Sequence, residues 1–395
     1  MLDYSFSDEE ELLRQTAREF CEREISPKIK QMMHDRKMPS SIWKAMAKMN
    51  FLGMNVPAEY GGMGADPIST AIVAEEISRA DPTASIPVLF LVDNAWSYLI
   101  SRYGTTDLKG ELLPKVVKGE RIVGIASTEP NYGSDIGSMK SYATEKNGSY
   151  IATGEKSYIS LVRDIAETGG GFVTVLKTDV RKKTDGVSLF YMPYDKSFDV
   201  TYLEEMGREG SSWAAFRFKD ISIPKEYMLG KLNGGFKIIH EGFEFARGLI
   251  SVISAGAAIK SLENGVEYMK QRDAFGQPIV KFQGLQFQLA EHVARMEAAR
   301  NIAYKALWMY SAEQKSGRFT RFQVSKEIAI AKLLTTTWAF DAINDALQWQ
   351  GAFGYSKECP EEWALRGIRS FQLAEGSREI MKVIIARETV GKENM

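Results

Sequence analysis

The run Arg121-Ile122-Val123-Gly124-Ile125-Ala126-Ser127-Thr128-Glu129-Pro130-Asn131-Tyr132-Gly133-Ser134-Asp135 marks a change of texture in the chain. After Arg121, the residues Ile122 to Ala126 are β-branched or small, the composition of a short strand. The next nine are hydroxyl-rich and turn-forming: Pro130 and Gly133 break regular structure, while Ser127, Thr128, Ser134 and Asp135 bring donors and acceptors to the edges. Such a loop suits a flat heterocycle with a diphosphate tail. An ordinary turn between two strands has the same composition, so features elsewhere must decide.

Toward the amino terminus the pattern is helical. Ser7-Asp8-Glu9-Glu10 reads as a capping box, with Leu12, Leu13 and Phe20 following at helical spacing. A second pattern runs through Ile42, Trp43, Met46 and Met49, with Tyr60-Gly61-Gly62-Met63-Gly64 as the turn that ends it. Further helices are expected from Pro67 to Arg79, from Pro87 to Arg102 and before Gly119. Beyond Arg121, strands are expected at Ile122 to Ser127, Tyr150 to Thr153, Phe172 to Leu176, Val187 to Met192 and Phe216 to Ile223, with Asn147-Gly148 as a hairpin turn. After Gly234-Gly235 helices return. Phe282, Leu285, Leu289, Val293, Met296, Ala299, Ala303, Leu307 and Tyr310 recur at steps of three and four, a stripe long enough for a bundle. The reading is α+β, mostly α: an N-terminal helical domain (1–120), a middle β-domain forming a small barrel or sandwich (121–231) and a C-terminal four-helix bundle (232–395).

Fifty basic against 51 acidic residues leave a net charge of −1. That balance offers no global field for nucleic acid or an anionic membrane. Cys21 and Cys359 stand far apart without a CxxC or Cys/His cluster, so neither a disulfide framework nor a zinc site is expected. A reducing compartment fits. The opening Met1-Leu2-Asp3-Tyr4-Ser5-Phe6-Ser7-Asp8 is acidic where a signal peptide is basic and then apolar, and apolar runs such as Leu249 to Ile259 are too short to span a bilayer. The expectation is a cytoplasmic protein without a metal.

Leu373-Ala374-Glu375-Gly376-Ser377-Arg378-Glu379 places one carboxylate after two apolar residues and before a glycine. A Glu in apolar surroundings has a raised pKa and serves as a base near neutrality; a capping Glu at a surface break has the same local sequence. Taken together with Ser127-Thr128-Glu129-Pro130 through Gly133-Ser134-Asp135, with Lys156-Ser157-Tyr158-Ile159-Ser160, with Met206-Gly207-Arg208, Ile223-Pro224 and Leu229-Gly230, and with Arg272-Asp273-Ala274-Phe275-Gly276 followed by Pro278-Ile279 and Phe282-Gln283, the chain resembles the acyl-CoA dehydrogenase family from about residue 5 to about residue 390.

That resemblance implies FAD as cofactor, an acyl-CoA thioester as substrate, electron-transfer flavoprotein as partner and a homotetramer built as a dimer of dimers. Glu375 would be the α-proton base, with hydride passing to flavin N5. Thr128 would meet the flavin pyrimidine edge and Ser160 the neighbourhood of N5; Tyr158 would stack beside the ring, and Ile125, Ser127 and Gly133 would line it. Ser134 would face both flavin phosphate and substrate. Arg272, Phe275 and Gln283, then Gln348, Gly351 and Ala352, would reach the flavin of a neighbouring subunit, as would Ser377 and Glu379. Gly376 would allow close backbone approach to the thioester, and Phe243, Glu244 and Arg247 would contact substrate, Glu244 and Arg247 reading equally as an i,i+3 ion pair. Some branches of the family carry their base immediately before that Arg, where this chain has Ala246. Asp93, on a helix that lines the acyl pocket in relatives, is either a polar residue facing solvent or a neighbour, or a pocket group that disfavours carboxylate-tailed acyl groups and acts on a cyclic one.

The chain departs from the family at Gln348-Trp349-Gln350-Gly351-Ala352, where Gly-Gly is usual, at Ala374, where Tyr is common, and at Ser160-Leu161-Val162-Arg163-Asp164, which replaces an Asn-Gly turn. Competing readings are an acyl-CoA oxidase or flavin monooxygenase of the same fold, and a DNA-binding relative. Oxidases usually add a C-terminal domain where this sequence ends at Met395, monooxygenases lack the Glu, and a DNA binder calls for a basic patch that the charge balance does not supply.

Overall fold

The computed structural model describes residues 5–394, so Met1 to Tyr4 at the acidic amino terminus, and Met395, lie outside the described residues. Six helices come first: α1 (Asp8–Glu24), α2 (Ile29–Asp35), α3 (Ser40–Lys48), α4 (Pro67–Ala80), α5 (Ser85–Tyr103) and α6 (Thr106–Val117). The capping box at the start of α1 forms in both directions: Glu10 N–H donates to Ser7 Oγ at 3.3 Å, and Ser7 N–H to Glu10 Oε2 at 2.8 Å. The second helical pattern ends at Lys48, well before Tyr60, because Asn50 and Gly53 take left-handed backbone.

The β-region holds β1 (Val123–Ala126), β2 (Tyr142–Lys146), β3 (Ser149–Ser160), the short α7 (Val162–Thr168), β4 (Gly171–Lys177), β5 (Val187–Pro193), β6 (Asp199–Tyr202), β7 (Trp213–Pro224) and β8 (Met228–Leu229). Seven of these strands run in the order β6-β7-β3-β2-β4-β5-β8, and β1 pairs in parallel with β4. Asn147 and Gly148, at φ 51° and 80°, make the two-residue turn between β2 and β3. Both central residues left-handed is the hairpin geometry that matches strand twist.

Four long or late helices follow after α8 (Gly235–Gln271): a hairpin of β9 (Asp273–Ala274) and β10 (Gln277–Pro278), then α9 (Gln283–Ser316), α10 (Arg321–Trp349), α11 (Pro360–Arg369) and α12 (Arg378–Val390). The apolar run Leu249 to Ile259 lies inside the 37-residue α8, which is long and apolar enough to cross a membrane, with 89% of its most apolar window buried inside the protein. The α9 stripe divides: Met296, Ala299, Ala303, Leu307 and Tyr310 are buried, whereas Val293 is 53% exposed.

Candidate active site

The loop after β1 is pinned from beneath. The Glu129 carboxylate accepts from Lys140 N–H (2.7 Å), Ser141 N–H (2.9 Å) and the wholly buried Lys156 Nζ (3.2 Å), which also donates to Ser127 O at 3.0 Å. Burial pushes the Lys156 amine down to about 8 against the pull of Glu129, and burial of Glu129 is outweighed by Lys156 and the backbone donors, so its carboxyl lies below its usual range. Ser157 N–H reaches Thr128 O at 2.9 Å, tying loop to β3. A register shift between Lys156 and Ile159 then interrupts the pairing of β3 with β7, and Tyr158, at φ 62°, is turned out with its ring 51% exposed and 5.3 Å from Trp213. Re-aiming a side chain is a common use of a bulge. Leu161, also left-handed at φ 64°, makes the turn that takes the place of the family's more usual Asn-Gly, anchored by its N–H to Ser212 O at 2.7 Å.

Opposite this wall, the segment between α11 and α12 is held by two cations. Arg247 Nε donates to Glu375 O at 2.7 Å, and Lys332 Nζ donates to Ala374 O and Gly376 O. Three successive carbonyls are thus occupied, with Glu375 at φ 56° and Gly376 at φ 100°. A β-carbon on Gly376 would stand 3.1 Å from Met381 Cε and 3.3 Å from Arg247 Nη2, in backbone that L-residues rarely adopt. Glu375 Oε2 is sealed from solvent without a hydrogen-bond partner. Burial raises its pKa, opposed by Arg247 and Lys332. A carboxylate raised in this way is fit to act as a base near neutral pH.

A cavity of about 560 Å³ lies between the two walls. From the β-region it receives Ile125, Ser127, Thr128, Gly133, Ser134, Tyr158 and Ser160, and from the helices Phe243, Arg247, Glu375, Gly376 and Ser377. Ser127 Oγ is buried with no partner, so the loop holds a polar group that awaits a ligand. A wider groove of about 1120 Å³ runs between Ser40 and Thr168, lined by charged side chains such as Lys44, Lys118, Glu120 and Arg121, and takes in none of the expected site residues.

Other expected site residues lie elsewhere. Arg272, Phe275, Gln283, Gln348, Gly351, Ala352 and Glu379 are exposed and outside the cavity of a single chain. Two expectations need correction. Asp93 is not a pocket group: it faces a neighbour, as its other reading had it, wholly buried against Val123 N–H at 3.4 Å, and burial pushes it up to about 7 against the bonds from Val123 and Gly53. Glu244 forms no ion pair with Arg247 and lies outside the cavity lining; Arg321, from α10, reaches it at 2.9 Å, and Ser325 donates to it. Conversely, Glu205, Trp213, His240 and Arg369 line the cavity unannounced, as does Arg208, which the sequence offered only as part of a motif with no role at the site. Burial, then Arg247, Arg321 and Arg387, lowers His240 to about 4, so its imidazole is neutral. Lys332 had a visible signal, a lone cation in Ile328-Ala329-Ile330-Ala331-Lys332-Leu333-Leu334.

Profiles of the acyl-CoA dehydrogenase N-terminal, middle and C-terminal domains match residues 7–120, 124–221 and 233–390. The chain is 32% identical over 384 residues to 3-(aryl)acrylate reductase of Clostridium sporogenes (strain ATCC 15579), covering 96% of this chain and 98% of that one. It is 33% identical over 380 residues to the mitochondrial short-chain specific acyl-CoA dehydrogenase of Mus musculus, covering 95% and 89%. Among solved structures, butyryl-CoA dehydrogenase from Megasphaera elsdenii superposes with a TM-score of 0.90 at 26% identity, over 98% of this chain and 100% of that one.

Proposed function

The chain belongs to the acyl-CoA dehydrogenase family of FAD-dependent oxidoreductases, and from that premise we propose that it removes the α and β hydrogens of a short acyl-CoA thioester, with Glu375 as the base. The observation that carries the reading is the Glu375 carboxylate, sequestered and unpartnered across a cavity from a hydroxyl-bearing loop.

The residues fit FAD: the orphaned Ser127 hydroxyl, Thr128 and Ser160 at the wall, and the Tyr158 ring standing into the cavity suit a flat, hydrogen-bonding ring. FAD supplies the hydride acceptor. Glu375 takes the α proton, and Arg247 and Lys332 hold its loop so that the carboxylate is placed before substrate arrives. As charge develops on the thioester oxygen, a donor must meet it. The Glu375 N–H, unpaired among the described residues, is available for that bond. Short acyl groups are favoured because Val92 is the one residue of α5 in the lining, and the seam between α5 and α8 is filled by Trp96 against Phe243 at 5.6 Å and Tyr98 against Phe245 at 5.4 Å.

Electron-transfer flavoprotein is the proposed acceptor, a homotetramer the proposed assembly and the cytoplasm the proposed site of action. Within the tetramer, Arg272, Phe275, Gln283, Gln348, Gly351, Ala352 and Glu379 would serve the flavin of a neighbour. The test is anaerobic titration with butyryl-CoA, following flavin absorbance. Wild type should bleach, and Glu375→Gln should keep its flavin yet stay coloured. Full bleaching in that variant removes Glu375 from the mechanism.

A further inference from the structure

Three residues other than glycine line the cavity with left-handed backbone: Tyr158 at φ 62°, Glu375 at φ 56° and Arg208 at φ 69°. Such backbone is strained in residues other than glycine, and it persists where surrounding structure over-determines it, often at functional sites. Tyr158 and Glu375 have places in the proposed site. Arg208 has none.

Arg208 stands in the connection from β6 to β7 and is 8% exposed. Its guanidinium makes one hydrogen bond among the described residues, from Nη1 to Ser160 Oγ at 3.5 Å. Glu205 is near enough to interact with its charge but forms no ion pair with it, and Glu205 Oε2 is itself buried without a partner. The contrast with Arg366 is direct: that guanidinium, in the same lining, is taken up by Glu362, Glu209 and Met206 O. A cation largely buried, on strained backbone and without an ion pair is poised for an anion that arrives later.

The proposed reaction supplies one. The α proton goes to Glu375, which loses its negative charge. The hydride, carrying two electrons, goes to the flavin ring, which gains one. A unit of negative charge therefore crosses the cavity, and each end of that path has a buried guanidinium: Arg247 of α8, bonded to the Glu375 loop, and Arg208, bonded to Ser160 on the opposite wall. We infer that Arg208 is an electrostatic partner of the flavin ring, set beside Ser160 to stabilise the charge that the ring acquires on reduction. This rests on the FAD site proposed above and adds that the protein raises the potential of its flavin; charge near the reactive nitrogens is a recognised lever on that quantity.

The test uses the FAD-loaded protein and needs no turnover. Midpoint potential and the dissociation constant of sulfite, which adds to an electron-poor flavin, are compared in wild type, Arg208→Gln, Arg208→Lys and Glu205→Gln at alkaline pH, where Glu205 is ionised. Arg208→Gln should weaken sulfite binding and reduction roughly tenfold, about 30 mV for a two-electron couple. Arg208→Lys should restore most of the loss, and Glu205→Gln should shift both quantities the opposite way. Unchanged potential and sulfite affinity in Arg208→Gln with flavin bound overturns the inference. If that variant does not fold, an unmoved Glu205→Gln overturns it. Failure of wild type to take up FAD defeats the site reading itself, a result distinct from either.

Discussion

Glu375 combines three costs: left-handed backbone, an unpartnered carboxylate oxygen and a raised pKa. The sign of the last can be worked through. Between the ordinary value of 4.5 and its raised value, the folded chain holds a proton that the unfolded chain has released. Stability therefore falls as pH climbs through that window, and at higher pH the whole penalty is present. Glu375→Gln, which removes the charge and keeps the shape, should melt at a higher temperature than wild type under neutral to alkaline conditions. The difference should shrink toward zero as the pH drops below the ordinary carboxylate range. A calorimetric series that found the same offset at every pH would refute the ionisation account. The rate limb should move the opposite way, with kcat/KM falling as pH drops through the raised pKa, because only the ionised carboxylate accepts a proton.

The candidacy of Glu375 was legible in sequence because a lone carboxylate beside a glycine is a local pattern. The parts played by Lys332, His240 and Arg208 were not, since each depends on what lies opposite in the fold. The pairing of Glu244 failed for the same reason. Its i,i+3 neighbour Arg247 was drawn to the Glu375 loop, and Arg321 from another helix took its place.

At the level of elements, the proposed preference for short acyl groups rests on the close seam between α5 and α8. A β-carbon on Gly242 would lie 2.4 Å from Trp96, so the two helices approach closely enough to leave no channel there. Val92→Gly should extend the cavity along α5, lowering KM for hexanoyl- and octanoyl-CoA severalfold relative to butyryl-CoA. Deleting a buried valine side chain should also cost about 2 kcal/mol of stability, visible in urea unfolding. An unaltered chain-length profile would place the acyl group elsewhere. Elements that advertise themselves locally were readable, among them the Asn147-Gly148 turn and the α4 start, where Asp66 accepts from Ile68 and Ser69 N–H. Leu161 was unreadable, because nothing in a leucine signals left-handed backbone.

Across the whole molecule, the α9 stripe that looked continuous in sequence is buried only in its later part. Phe287 at 62% and Val293 at 53% exposure on α9, and Phe275 at 97% in the turn of the hairpin that follows Arg272, leave large apolar side chains open to solvent. Exposed apolar surface of this kind marks interaction sites, and in the proposed tetramer it meets a second copy. Phe287→Glu with Val293→Glu should yield smaller particles by light scattering and lose FAD in parallel, since the neighbour would no longer complete the site. Dissociation with full flavin retention would show that each chain holds its cofactor unaided.

The Lys156 and Glu129 pair beneath the loop after β1 has a consequence for the order of events in maturation. Both groups are inside the protein and joined to each other and to the loop backbone, so the cradle acquires its shape when the chain folds. The cofactor then meets a surface whose conformational entropy has already been surrendered, and its affinity is not diminished by having to order the segment. Folding and loading become separable in time: a chain stripped of FAD keeps the mould into which a fresh molecule can be cast.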